Sequence, residues 1–171
     1  MTDRDKKSLV GLVGYSGSGK DSLAEELCRF GGYTRYAFAD ALKSLLLATD
    51  KTYGDSLERL EDWKRRGMHE TREKLQNLGQ RLRDFDEDFW LKSMPTVLAE
   101  RTIVTDVRYP NELDWIKERG GMVVAIQRPG YGPVNDHQSE SNTTRLLKLA
   151  DITLTNHDTI AELAARFNTA L

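Results

Sequence analysis

From Gly14 to Lys20 the chain reads Gly-Tyr-Ser-Gly-Ser-Gly-Lys. This is the spacing G-x-x-x-x-G-K, in which glycines let successive backbone N–H groups converge on phosphate oxygens and the lysine adds a mobile positive charge. Gly14, Ser16, Gly17, Ser18, Gly19 and Lys20 are therefore the candidate cradle for a triphosphate, and a following helix would contribute its positive end. Asp21 stands where a magnesium-binding hydroxyl is expected, and the hydroxyl comes one residue later at Ser22. A carboxylate beside a triphosphate is repelled unless a cation stands between them. Asp21 and Ser22 are thus candidate Mg²⁺ ligands, directly or through water. The competing explanation for Asp21 is a favourable charge in the first turn of a helix, worth roughly 0.3–1 kcal/mol.

In an open parallel sheet, ligands bind beyond the carboxyl ends of the strands, which gives weight to Asp40, Asp106 and Asn156. Asp106 ends the run RTIVTD, a place suited to an acid that polarises metal-bound water, and Arg108 can clamp a phosphate with its planar fork. Glu112 is a further candidate, although a glutamate in the first turn of a helix has a local explanation. Arg128 and Arg145 bracket the Pro/Gly-rich RPGYGPVNDHQSESN, as a lid carrying cations onto transferring phosphates would require. His69, His137 and His157 lack metal-ligand spacing and read as solvent histidines.

Positioning these residues requires strands that alternate with helices. Leu9–Val13, Tyr33–Ala39, Arg101–Thr105, Met122–Gln127 and Ile152–Thr155 read as five strands. Helices are expected over Gly19–Phe30, from a cap at Asp40 through Leu47, over Thr71–Phe85 and Asp86–Glu100, from Pro110, over Thr144–Ala150, and after a cap at Asp158. That order predicts an α/β fold, a five-stranded parallel sheet covered by helices on both faces. Lys51–Glu70 is highly charged and reads as a mobile insertion carrying Trp63. At about 100° per residue, Leu75, Leu78, Leu82 and Phe85 form the core face of the helix from Thr71. Arg72, Gln76, Gly79 and Arg83 share a second stripe suited to a cleft wall: arginine for phosphate, glutamine for a base edge, glycine for close approach. Trp90 is the one tryptophan to consider as a base-stacking platform.

The 171 residues are enough for one domain with its own core. With 25 basic against 27 acidic residues the chain has no general field for polynucleotide or membrane, so small-molecule partners are expected. The lone Cys28 reads as a small core residue. MTDRDKKSLV is too polar for a signal sequence, and no apolar run reaches membrane-spanning length, which together predict a cytoplasmic protein.

GYSGSGKDS, FADALK, TREKLQNLGQRLRDFDEDFW, TDVRYPNE, HQSE and ADITLTN occur in an order that resembles the deoxynucleoside monophosphate kinases of bacteriophages. The resemblance spans nearly the whole chain and is most specific in GKD followed by a hydroxyl residue and in TDVRYPNE. It implies the P-loop nucleoside monophosphate kinase fold, a three-layer α/β/α sandwich, with a helical acceptor-binding region near 50–100 and a lid near 128–145. It also implies transfer of a phosphoryl group from ATP, with Mg²⁺, to a deoxynucleoside monophosphate. Carried over by position, Lys20 and the loop hold the ATP phosphates, Arg72 and Arg108 the acceptor phosphate, Asp40 and Lys43 border the acceptor site, and Asn156 lies near adenine. One departure is NHDT, where Asp158 stands in place of an expected glycine. Two rival readings are a P-loop kinase for another phosphorylated metabolite, similar to animal-type phosphomevalonate kinases, and a switch protein that hydrolyses ATP without an acceptor. Base preference, ribose discrimination and homodimerisation stay open at this stage.

Overall fold

The computed structural model describes residues 9–54, 56–66, 69–134 and 137–171. The N-terminal MTDRDKKS, the side chain of His69, and parts of the expected insertion and lid lie outside the described residues. In order run β1 (Leu9–Val13), α1 (Lys20–Phe30), β2 (Thr34–Tyr36), α2 (Phe38–Thr49), α3 (Leu57–Arg65) and α4 (His69–Phe85). Then follow β3 (Thr102–Val104), α5 (Pro110–Glu118), β4 (Met122–Gln127), α6 (Gln138–Leu147), β5 (Ile152–Thr155) and α7 (Ile160–Ala170). The chain divides into two compact units, one of Met1–Ala37 with Thr96–Leu171, the other Phe38–Pro95.

The first unit is built on a parallel sheet in the order β2-β3-β1-β4-β5. Every residue of β1 is buried, as expected of a central parallel strand covered on both faces. Val10, Leu12, Leu23, Leu27, Leu163 and Phe167 belong to one core, formed where α1 and α7 pack together over the sheet. On β1, a Cβ at Gly11 would lie 2.4 Å from Ile116 Cδ1, so glycine is what lets α5 approach the strand. Because β3 and β4 flank β1 on opposite sides, the chain leaves β1 at a topological switch point, where crevices form. Cys28 is half-buried against the core, and desolvation pushes its thiol pKa up, as its reading as a packing residue requires.

Several boundaries differ from expectation. β2 pairs only over Thr34–Tyr36, because Phe38 already begins α2, and Asp40 lies in that helix's first turn rather than at its cap. The helix expected from Thr144 begins at Gln138, where the His137 Nδ1 accepts from the Ser139 N–H at 3.2 Å. His137 is therefore a half-buried N-cap, and desolvation lowers its pKa. At α7 the cap is Thr159, not Asp158. Thr159 Oγ1 accepts from the Glu162 N–H at 3.3 Å, and Glu162 accepts the Thr159 N–H at 3.0 Å, a reciprocal capping box. Thr159→Ala is expected to cost about 1 kcal/mol in denaturant unfolding, whereas Asp158→Ala leaves stability within about 0.5 kcal/mol.

The second unit, Phe38–Pro95, is helical. Leu46, Leu60 and Leu75 form its core, with Leu42, Leu47, Trp63 and Leu78 packed around them. The charged stretch expected to be mobile contains α3, capped by Ser56 and contributing Leu60 and Trp63 to that core. Its polar residues hid a narrow apolar stripe, and the Arg59 guanidinium sits 5.4 Å over the Trp63 ring. No α-helix forms over Asp86–Glu100. Asp86 Oδ1 instead accepts the Asp88 N–H at 3.1 Å, and after a short 3₁₀ turn at Leu91–Ser93 Met94 is extended. An Asx turn competes with helix at the start, and Pro95 disfavours it at the preceding residue. Phe85 ends α4 84% exposed, outside the core face expected for it. No helix among the described residues is long and apolar enough to cross a membrane.

Candidate active site

The cradle spans the turn between β1 and α1. Gly17 and Gly19 have φ of 79° and 97°, left-handed values that non-glycine residues rarely adopt, and they turn the backbone around the space a phosphate would fill. The Ser18 N–H donates to Tyr15 O at 3.1 Å and closes the loop. Asn156, 3% exposed just after β5, donates from Nδ2 to Ser18 O at 2.9 Å. A Cβ on Gly19 would lie 2.4 Å from that Nδ2. Asn156 thus braces the cradle from below. Among the described residues the buried Ser18 Oγ has no hydrogen-bond partner, as expected of a polar loop shaped for a ligand.

Lys20 opens α1 and is only 5% exposed. Burial lowers its pKa from 10.5, opposed by the Asp21 carboxylate at 3.4 Å and reinforced by Arg108. A phosphate at this point would replace lost water with a counter-charge. Asp21 points outward, its side chain 64% exposed, and Ser22 is exposed beside it.

Beyond β3, the Val107 N–H donates to Leu12 O at 3.2 Å and fastens this loop to β1. Asp106, half-buried, is close enough to act electrostatically on Lys20. Glu112 is 1% exposed and accepts the backbone N–H groups of Arg108 and Tyr109 at 2.7 and 3.1 Å. It fixes the start of α5. Arg108 directs Nη1 to Glu140 Oε1 at 2.8 Å. Sequence reasoning gave Glu140 no role of its own; its signals are its place at the end of HQSE and in the first turn of α6.

Arg128 and Tyr131 meet the crest of the cradle: Arg128 Nη1 donates to Gly17 O at 3.3 Å, and its guanidinium lies 4.8 Å over the Tyr131 ring. A Cβ on Gly17 would lie 2.5 Å from that ring. Tyr15 Oη and Thr144 Oγ1 are 2.6 Å apart, which joins the cradle to α6. Arg145 is exposed in the last turn of α6.

In the helical unit, Lys43 Nζ lies 2.8 Å from Glu61 and 3.8 Å from Asp40. Arg72, Gln76 and Arg83 are half-buried on α4, and Arg83 Nη1 reaches Glu87 O at 3.5 Å. Gly79 meets other protein groups: Leu42 lies 3.2 Å from where its Cβ would stand, and its carbonyl accepts from Trp90 Nε1 at 3.1 Å. Trp90, 3% exposed, is a packing residue rather than a base-stacking platform.

Residues 69–167 match a family model described as deoxynucleotide monophosphate kinase. A curated protein of Acanthamoeba polyphaga mimivirus, provisionally named a deoxynucleotide monophosphate kinase, is 32% identical over 176 aligned residues, covering 90% of this chain and 91% of that one. Among solved structures, shikimate kinase from Aquifex aeolicus matches with a TM-score of 0.52 at 14% identity, covering 95% of each chain. TT1252 from Thermus thermophilus matches with a TM-score of 0.50 at 16% identity, covering 97% of each. At such identities these two speak to the fold alone, an α/β architecture on a five-stranded parallel sheet. The family model and the viral relative carry the assignment further: this chain is a kinase and belongs to the deoxynucleotide monophosphate kinase family.

Proposed function

We propose that the protein transfers the γ-phosphoryl group of ATP to a deoxynucleoside 5′-monophosphate, giving a deoxynucleoside diphosphate and ADP. The observation that carries this reading is the buried Lys20 in a glycine-turned cradle, with Asp106 and Arg108 close enough to act on its charge. Lys20 and the N–H groups of Gly14–Gly19 hold the ATP phosphates. In this reading Arg72 and Arg108 hold the acceptor phosphate, Asp40 and Lys43 border the acceptor site, and Gln76 and Arg83 bind the rest of the acceptor. An acceptor phosphate oxygen attacks the γ-phosphorus in line, and the bond to the β–γ bridging oxygen breaks. No base is needed, since a monophosphate is already largely ionised near neutral pH. Positioning and charge stabilisation by Lys20, Arg108 and Arg128 supply the acceleration.

Among the described residues no group of three or more His, Cys, Asp or Glu side chains is arranged to hold a metal alone. The exposed Asp21 and Ser22 and the half-buried Asp106 suit a Mg²⁺ ion that keeps phosphate oxygens and waters as its other ligands. When bound, Mg²⁺ would neutralise phosphate charge. Asp21→Asn is expected to shift the magnesium dependence of turnover several-fold upward. An unchanged titration would assign Asp21 to the helix terminus alone.

The reading places the work in the cytoplasm, on nucleotides rather than polynucleotide or membrane. Its test is ADP formation from Mg-ATP with each standard deoxynucleoside monophosphate, the ribose counterparts and mevalonate phosphate, beside a control without acceptor. Turnover that depends on deoxynucleotides supports the proposal and ranks the bases. Preference for mevalonate phosphate, or turnover equal to the control, would remove it.

A further inference from the structure

We propose that Glu140 is the positioning residue that orients Arg108 toward the acceptor phosphate and couples that orientation to the Pro/Gly-rich segment. The inference rests on the reading of Arg108 as the acceptor-phosphate clamp. Glu140 is 1% exposed, and its two oxygens have separate tasks. Oε1 accepts Arg108 Nη1 at 2.8 Å, and Oε2 accepts the Val134 N–H at 3.3 Å. An arginine side chain is long and rotamer-rich, so a buried carboxylate on one edge of its guanidinium removes most of that freedom and leaves the remaining N–H groups to meet a phosphate. Among the described residues no hydrogen bond engages Arg108 Nε or Nη2.

The carboxylate is itself held in place. Thr144, one turn further along α6, bonds Tyr15 of the cradle at 2.6 Å, and its hydroxyl donates to Glu140 O at 3.3 Å. The helix that aims the acceptor clamp is therefore fastened to the loop that holds the donor phosphates. The same carboxylate takes a backbone N–H from the segment beginning at Arg128, so a shift of that segment and a turn of Arg108 are linked through one side chain.

The test is steady-state kinetics of Glu140→Gln, Arg108→Ala and the double variant, with KM measured separately for the monophosphate and for ATP. Glutamine keeps the shape and loses the charge. Glu140→Gln is expected to raise the monophosphate KM about 10-fold while the ATP KM stays within about twofold, and to add nothing once Arg108 is absent. A merely structural ion pair would change unfolding without this split. Equal changes in both KM values, no change in either, or a full effect retained in the Arg108→Ala background would overturn the role of Glu140 and leave that of Arg108 intact. An Arg108→Ala enzyme with normal monophosphate KM would instead overturn the clamp reading, and this inference with it. Should Glu140→Gln fail to fold, Glu140→Asp, which keeps the charge and shortens its reach by one methylene, serves in the same comparison.

Discussion

Lys20→Ala is expected to abolish phosphoryl transfer, lowering kcat by about 10³-fold or more, while the chain stays folded. The ammonium is a buried positive charge at the start of α1, directly after the cradle, and backbone N–H groups cannot replace it. Folding should tolerate the loss, because Lys20 is 5% exposed and burial penalises its charge. The sign of the pH effect follows. Since burial lowers the pKa below 10.5, the folded apoprotein releases this proton before an unfolded chain would. Burial of the charge therefore weighs on stability below the folded value and is relieved as pH rises through it. A bound triphosphate favours the charged form, so ATP binding takes up a proton in that window, and kcat/KM for ATP should fall on the alkaline side below pH 10.5. Rapid-mix assays across pH, with a circular-dichroism melt of the variant, check both parts. Substantial turnover by Lys20→Ala would remove the cradle from catalysis.

Arg108→Ala is expected to raise the monophosphate KM about 10- to 100-fold, the range given by losing charge-assisted hydrogen bonds, with the ATP KM little changed. It should also weaken the fold. Glu140 is 1% exposed and, among the described residues, would keep only the Val134 N–H as a polar partner beyond its own helix, so its charge would be buried with no described counter-ion hydrogen-bonded to it. Such losses reach about 3–5 kcal/mol for fully buried pairs. The Arg108 side chain is 27% exposed, which screens the pair and reduces the expected cost to about 2 kcal/mol. Urea unfolding measures that cost, and adding Glu140→Gln should restore part of it by removing the stranded charge. An Arg108→Ala protein of unchanged stability and unchanged monophosphate KM would contradict both arguments.

Much of the candidate site could be read along the chain because its chemistry is local. The cradle needs consecutive glycines and a lysine between a strand and a helix, and all of that information lies in Gly14–Lys20. Asp106 and Arg108 were legible for a related reason: a parallel sheet makes the residues after each strand the natural ligand positions. The five strands announced themselves through short apolar runs or, at Tyr33–Ala39, through alternation, and the order β2-β3-β1-β4-β5 put their ends where that rule requires. The helices of mixed composition were harder to place. α3 hides Leu60 and Trp63 among charges, Gln138–Asn142 falls in the irregular Pro/Gly-rich segment, and Asp86–Glu100 looks helical until Asp86 takes a backbone N–H for itself.

Local pattern therefore determined the fold class, the phosphate loop and the candidate lysine, aspartate and arginine. Tertiary structure decided their company: Glu140 on Arg108 across 32 residues, Thr144 on Tyr15 across 129, and Asn156 beneath Ser18 across 138. The physical reason is that backbone conformation follows from neighbours along the chain, whereas the partner of a buried polar group is whichever side chain folding brings within hydrogen-bonding distance.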